Sequence, residues 1–117
     1  MSDCIFCRIV NGEIPSELLY ENEEVVAFRD IRPMRPVHIL IVPRAHIQDI
    51  LDLSKQADRD RINAAVLDAV AEITQKEGID ESGFSLITNC GSDGGQSVFH
   101  LHYHILGGAP LEWERMV

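Results

Sequence analysis

Three of the chain's five histidines stand at alternate positions within five residues, His100-Leu101-His102-Tyr103-His104. Successive side chains of an extended strand point to opposite faces. The three imidazoles therefore share one face, spaced about 6.6 Å apart, while Leu101, Tyr103 and Ile105 take the other. Neutral imidazole offers two chemistries. It can attack phosphorus and carry a covalent intermediate, or it can ligate a metal, and three such rings with a water form a hydrolytic zinc site. The inert alternatives are a solvated histidine face or core rings satisfied by backbone. Either suits one ring better than three on one face.

The segment just upstream favours phosphate. Gly91-Ser92-Asp93-Gly94-Gly95-Gln96-Ser97 is rich in glycine, which lets backbone N–H groups close on an anion. It is not a Walker A loop, because no Gly-Lys-Ser/Thr follows. By itself such a loop is commonly just a turn; joined to a histidine row it places phosphate beside a nucleophile. No acidic cluster suited to Mg²⁺ is evident. A second chemical group is Cys4-x-x-Cys7, read either as a metal clip or as two ordinary thiols. The odd total of three cysteines argues against a disulfide framework.

These residues need elements to hold them. Residues 3–10 read as a short helix with Asp3 as N-cap and Phe6, Ile9 and Val10 on one face, ended by Asn11-Gly12. Leu18-Leu19-Tyr20 and Val25 to Phe28 form a hairpin across Glu21-Asn22-Glu23. Asp30 to Pro36 is a loop, and Val37 to Val42 is a buried central strand stopped by Pro43. The long helix spans 55–77, with Ile62, Val66, Ala69, Val70 and Ile73 at helical spacing and Gly78 just past its end. Phe84 to Thr88 and Phe99 to Leu106 complete a sheet of five strands. The order predicts an α+β domain spanning 1–117, a mostly antiparallel sheet with one long helix and a short N-terminal helix. Its exposed edges need cover, so a homodimer is expected.

Composition narrows the partners. Ten Lys+Arg against nineteen Asp+Glu leave a net charge of −9, which repels the backbone of DNA and RNA and disfavours nucleic-acid binding. Met1 to Cys7 lacks the features of a signal peptide, and Ile39 to Val42 is too short to cross a bilayer. A cytoplasmic protein without membrane association is expected.

The row His100-Leu101-His102-Tyr103-His104-Ile105-Leu106 resembles the signature of the histidine-triad (HIT) family, in which histidines alternate with apolar residues. The resemblance runs over nearly the whole chain. Cys4 to Pro15, Ala27 to Ile31, His38 to Pro43, His46-Ile47 and Gly91 to Gly108 are similar to the Hint branch. It implies a HIT-like fold, a homodimer with a continuous sheet, and hydrolysis of purine nucleoside phosphoramidates and aminoacyl adenylates through a nucleotidyl-histidine. On this resemblance His102 is the nucleophile, His104 a phosphate ligand, His100 an orienting residue and His38 a supporting fourth histidine. Ser97 matches the serine at the phosphate or leaving nitrogen. Asn89, Gly95 and Gln96 match ligand-loop contacts, and Asp30 the carboxylate on the ribose. Ile5, Phe6, Ile9, Phe28 and Ile31 match the apolar slot for the base. Without the resemblance, Phe6, Ile9 and Phe28 read as core, Asp30 as a turn residue and His38 as a satisfied core histidine. Trp113 lies in a tail, 107–117, that the resemblance brings near the partner's active site.

Cys4, Cys7, His46 and His100 match a structural zinc set of the family. Four such ligands close a tetrahedral site, so a structural zinc is expected and no cofactor is required for catalysis. Three other functions are compatible with these residues. They are a dinucleoside polyphosphate hydrolase, a nucleotide-binding interaction protein, and a zinc hydrolase that uses the row itself.

Overall fold

The computed structural model describes residues 4–111. Five strands make one sheet in the order β1-β2-β3-β5-β4, and every neighbouring pair is antiparallel. The strands are β1 (Leu18–Glu21), β2 (Val25–Arg29), β3 (Val37–Pro43), β4 (Phe84–Ile87) and β5 (Tyr103–Gly107). Helices α1 (Ile5–Val10), α2 (Ile50–Leu53) and α3 (Arg59–Lys76) complete it. No helix among the described residues is long and apolar enough to cross a membrane.

Alternation along β2, β3 and β5 sorts side chains into two cores. Val25, Ala27, Val37, Ile39, Ile41, Leu101, Tyr103 and Ile105 face α3, where they meet Ile62, Ala65, Val66, Ala69, Val70 and Ile73. Fully burying each Ile or Val contributes about 1.5–3 kcal/mol, so this layer is the main source of stability. The opposite face holds a smaller core of Phe6, Val26, Phe28, Leu40 and Val42 under α1, with the Phe6 and Phe28 rings 5.7 Å apart in an edge contact. Leu40 pairs with His104 and His38 with Leu106, so the histidines stand on this smaller side, where Phe6 of α1 packs against His102.

Several boundaries differ from the sequence reading. Helix α1 starts at Ile5 with Cys4 as N-cap, its sulfur accepting the Cys7 N–H at 3.4 Å; Asp3 lies outside the described residues. The long helix starts at Arg59, not 55, because 54–58 turn back on α2, where the Gln56 side chain bonds Asp52. Helix α2 was not expected: a single turn capped by the Asp49 side chain on the Asp52 N–H is too short to show periodicity. Strand β3 includes Pro43 as its last residue.

The main difference is β5, expected from Phe99 but beginning at Tyr103. Ile41 pairs with Tyr103, so the next rung would pair Pro43 with Leu101. Proline has no N–H to give, and the ladder ends there. The Leu101 N–H turns to the Ile47 carbonyl at 2.6 Å instead. His100 and His102 are thus carried on an extended segment beyond the sheet, although the three rings still share one side.

Candidate active site

The histidine row is wired through ring nitrogens whose roles follow from their partners. His102 Nδ1 lies 2.8 Å from the His100 carbonyl oxygen. A carbonyl only accepts, so Nδ1 carries the hydrogen, and in the neutral ring the lone pair is on Nε2. The edge of the Phe6 ring packs against His102 with centroids 5.0 Å apart, fixing the plane of the imidazole.

His38 and His104 form a second unit. The Met34 amide donates to His38 Nδ1 at 3.0 Å, so His38 carries its hydrogen on Nε2 and gives it to His104 Nδ1 at 2.9 Å. His104 therefore bears its own hydrogen on Nε2. Burial lowers the pKa of His38, partly offset by Asp30. Burial, aided by repulsion from His102 and His38, pushes His104 down to about 4. Both rings are neutral near pH 7, and His104 presents an N–H donor. Asp30 Oδ2 sits 3.4 Å from His38 Nε2, while its Oδ1 accepts the Arg32 N–H.

The glycine loop folds as a turn over 91–95 and is braced from within. Buried Gln96 accepts the Gly91 N–H through Oε1 and donates through Nε2 to the Gln48 and Val98 carbonyls. Its side chain is occupied holding the loop, and its backbone N–H closes the turn on the Gly91 carbonyl at 3.0 Å. Asn89 likewise donates to the Gly94 carbonyl at 2.8 Å. Gly95 has φ +81, and Ser97 is exposed at the loop's exit toward the row. Of the apolar residues read as a base slot, Phe6, Ile9 and Phe28 come together in the smaller core. Ile5 is half exposed at the start of α1, and Ile31 stands 91% exposed in the loop after β2.

Cys4, Cys7, His46 and His100 converge, with one ligand atom from each lying within 4.8 Å of the others. His100 Nδ1 is 3.4 Å from Cys4 Sγ and 3.5 Å from Cys7 Sγ, and His46 Nδ1 is 3.1 Å from Cys7 Sγ. Tetrahedral zinc, with bonds of about 2.3 Å to sulfur and 2.0 Å to nitrogen, separates such ligands by about 3.5 Å. The wiring agrees: His100 Nε2 donates to the Pro43 carbonyl at 2.9 Å, leaving Nδ1 as the free lone pair, the outer-sphere pattern of ligating histidines. The cluster fits a closed metal site. Asp30, His38 and His104 also converge, but there the Met34 amide already occupies the nitrogen that a metal-bound His38 would need protonated. That trio is a hydrogen-bonded relay.

Sequence reasoning missed the groups that hold the row: the Met34 amide, the Ile47 and Pro43 carbonyls, and the Thr88 hydroxyl, which donates to the His102 carbonyl at 2.8 Å. Pro43 was the available signal, since a proline at the end of a central strand also ends its neighbour's ladder. Trp113 and the end of the tail lie outside the described residues.

The HIT domain model matches residues 11–111. Purine nucleoside phosphoramidase of Escherichia coli K12 is 43% identical over 109 residues, covering 93% of this chain and 90% of that protein. A 14 kDa zinc-binding protein of Brassica juncea is 41% identical over 112 residues, covering 95% and 97%. The crystal structure of a HIT family hydrolase from Legionella pneumophila superposes with a TM-score of 0.88 at 42% identity, covering 95% and 97%.

Proposed function

The chain belongs to the HIT domain family, and from that premise we propose that it is a nucleotide hydrolase acting on the P–N bond of purine nucleoside 5′-phosphoramidates, with aminoacyl adenylates as related substrates. The observation that carries this reading is the 2.8 Å bond from His102 Nδ1 to the His100 carbonyl, which leaves the lone pair of the neutral ring on Nε2. The relative named a purine nucleoside phosphoramidase supports the substrate class.

His102 Nε2 attacks the α-phosphorus. The P–N bond breaks, and the amine departs with its bonding pair and a proton taken from water, with Ser97 at the leaving nitrogen. Backbone N–H groups of the loop and the Nε2–H of His104 bind the phosphoryl oxygens, stabilising charge that grows in the transition state. Because His104 is neutral, it donates a hydrogen bond without becoming a competing acid. Water then attacks the phosphorus and gives up a proton to solvent, the P–Nε2 bonding pair returns to His102, and a nucleoside monophosphate leaves. Asp30 binds the ribose hydroxyls, Phe6, Ile9 and Phe28 floor the base site, and Ile5 and Ile31 form its rim.

A zinc ion held by Cys4, Cys7, His46 and His100 would have a full protein ligand set, supplying structure and not an open coordination position. The relative named as zinc-binding supports this site. The working unit is a homodimer, with Phe84 and Leu86 of the β4 edge as apolar surface for a second copy. The test is intact-protein mass after brief exposure to adenosine 5′-phosphoramidate. Wild type is expected to gain a nucleotidyl group transiently, and His102→Ala to lose both adduct and turnover, with turnover of wild type surviving strong chelation. Chelator-sensitive turnover that persists in His102→Ala would replace this mechanism with metal-activated water.

A further inference from the structure

The residue proposed as nucleophile sits where the sheet has stopped. On one side the β3–β5 ladder ends at Ile41 and Tyr103, because Pro43 has no N–H for the next rung. On the other side the β4–β5 ladder ends at Ile87 and His104. The lost β3 rung releases Leu101, and the His102 backbone, which points to the β4 side, lies one rung past the last β4–β5 pair, so neither strand holds it by a ladder bond. A nucleophile needs the opposite, since displacement by about 1 Å from the reactive geometry can cost on the order of 100-fold in rate.

One side chain supplies a bond at this position. Thr88, the residue after β4, donates its hydroxyl to the His102 carbonyl at 2.8 Å. The bond crosses from the β4 side, as a further rung would. The His100 carbonyl holds the ring of His102 from the preceding turn of the segment, and the Leu101 N–H is held by Ile47. Thr88 is what fixes the far side of the nucleophile's own peptide. Its hydroxyl is engaged with backbone, not aimed at the face where the three rings stand.

We propose that Thr88 is a positioning residue for His102, a side-chain substitute for the missing ladder rung that sets the aim of the imidazole without touching substrate. The proposal rests on His102 being the nucleophile, and its test separates the two ideas. Thr88→Val keeps shape and β-branching but removes the donor; Thr88→Ser keeps the donor. Rapid-quench measurement of nucleotidyl-enzyme formation from adenosine 5′-phosphoramidate is expected to slow about tenfold in Thr88→Val, the worth of one lost hydrogen bond. KM should stay within about twofold, and Thr88→Ser should recover most of the rate. In parallel, amide hydrogen exchange of substrate-free protein should show faster exchange at Leu101 and Tyr103 in Thr88→Val, with β2–β3 amides unchanged. Equal exchange and equal rate in Thr88→Val would overturn the proposal. So would a rise in KM at constant kcat, which would make Thr88 a substrate contact. If His102→Ala retained the adduct, the assignment of the nucleophile would fall, and the exchange result would still decide whether Thr88 holds the segment.

Discussion

At the scale of single residues, the site depends on which nitrogen of each ring carries its hydrogen. Met34 dictates the tautomer of His38, and His38 dictates that of His104. Both rings resist protonation when folded, whereas in the unfolded chain they take up protons near their ordinary value of 6.5. A base whose folded pKa is lowered makes the unfolded state the better proton binder, so this stability is intact above about pH 6.5 and is lost as pH falls toward about 4. The displacement of His104 corresponds to roughly 3 kcal/mol before solvent screening reduces it. Thermal melts from pH 7.5 to 4.5 in the presence of chelator should show Tm falling below pH 6.5, and His104→Asn should flatten that slope. An unchanged slope would mean that the His38–His104 relay is not the source.

At the scale of elements, the ends of strands and loops matter more than their middles. The apolar runs Val25 to Phe28 and Val37 to Val42 were legible because a strand buried on both faces is apolar almost throughout, and the spacing of Ile62, Val66, Ala69, Val70 and Ile73 because burial on one face of a helix writes a period into the sequence. The shared side of the three rings was legible from strand alternation, and the Cys4, Cys7, His46 and His100 cluster only through the family resemblance. What could not be read was the point at which β5 leaves the sheet, because it depends on a proline fifty-eight positions upstream of Leu101 in the neighbouring strand. Thr88 has the composition of a strand residue, and nothing local marks its bond to His102. The position of Gln96 was read, but its occupation by Gly91, Gln48 and Val98 was not, since Gln48 becomes a neighbour only on folding. The loop itself makes a firm prediction. A Cβ at Gly94 would strike the Cys90 carbonyl oxygen, which cannot yield without moving the turn. Gly94→Ala should lower kcat/KM for adenosine 5′-phosphoramidate at least about tenfold, chiefly through KM, while Tm stays within a few degrees. An unaltered KM would remove the loop from phosphate binding.

At the scale of the whole molecule, two chemical centres share the smaller face of the sheet, and a charge of −9 surrounds them. Zinc bound by Cys4, Cys7, His46 and His100 would tie α1 to the segment after β3 and to the histidine row. Stripping it should lower Tm by about 5 °C or more, and Cys4→Ser should reproduce that loss. Elemental analysis of protein made without chelator is the accompanying check, and a Tm indifferent to chelation would leave the cluster as mere thiols and imidazoles. Sedimentation should find a dimer that Leu86→Glu splits, if β4 is the joining edge. His100 is the point where the two centres meet, and it serves them with different parts of itself. Its ring belongs to the thiol cluster, while its carbonyl belongs to His102. Side chains are inherited one by one, but a peptide carbonyl comes with every residue. A lineage could therefore trade away the thiols and even the imidazole at position 100 and still hand down the same tautomer to the ring at position 102.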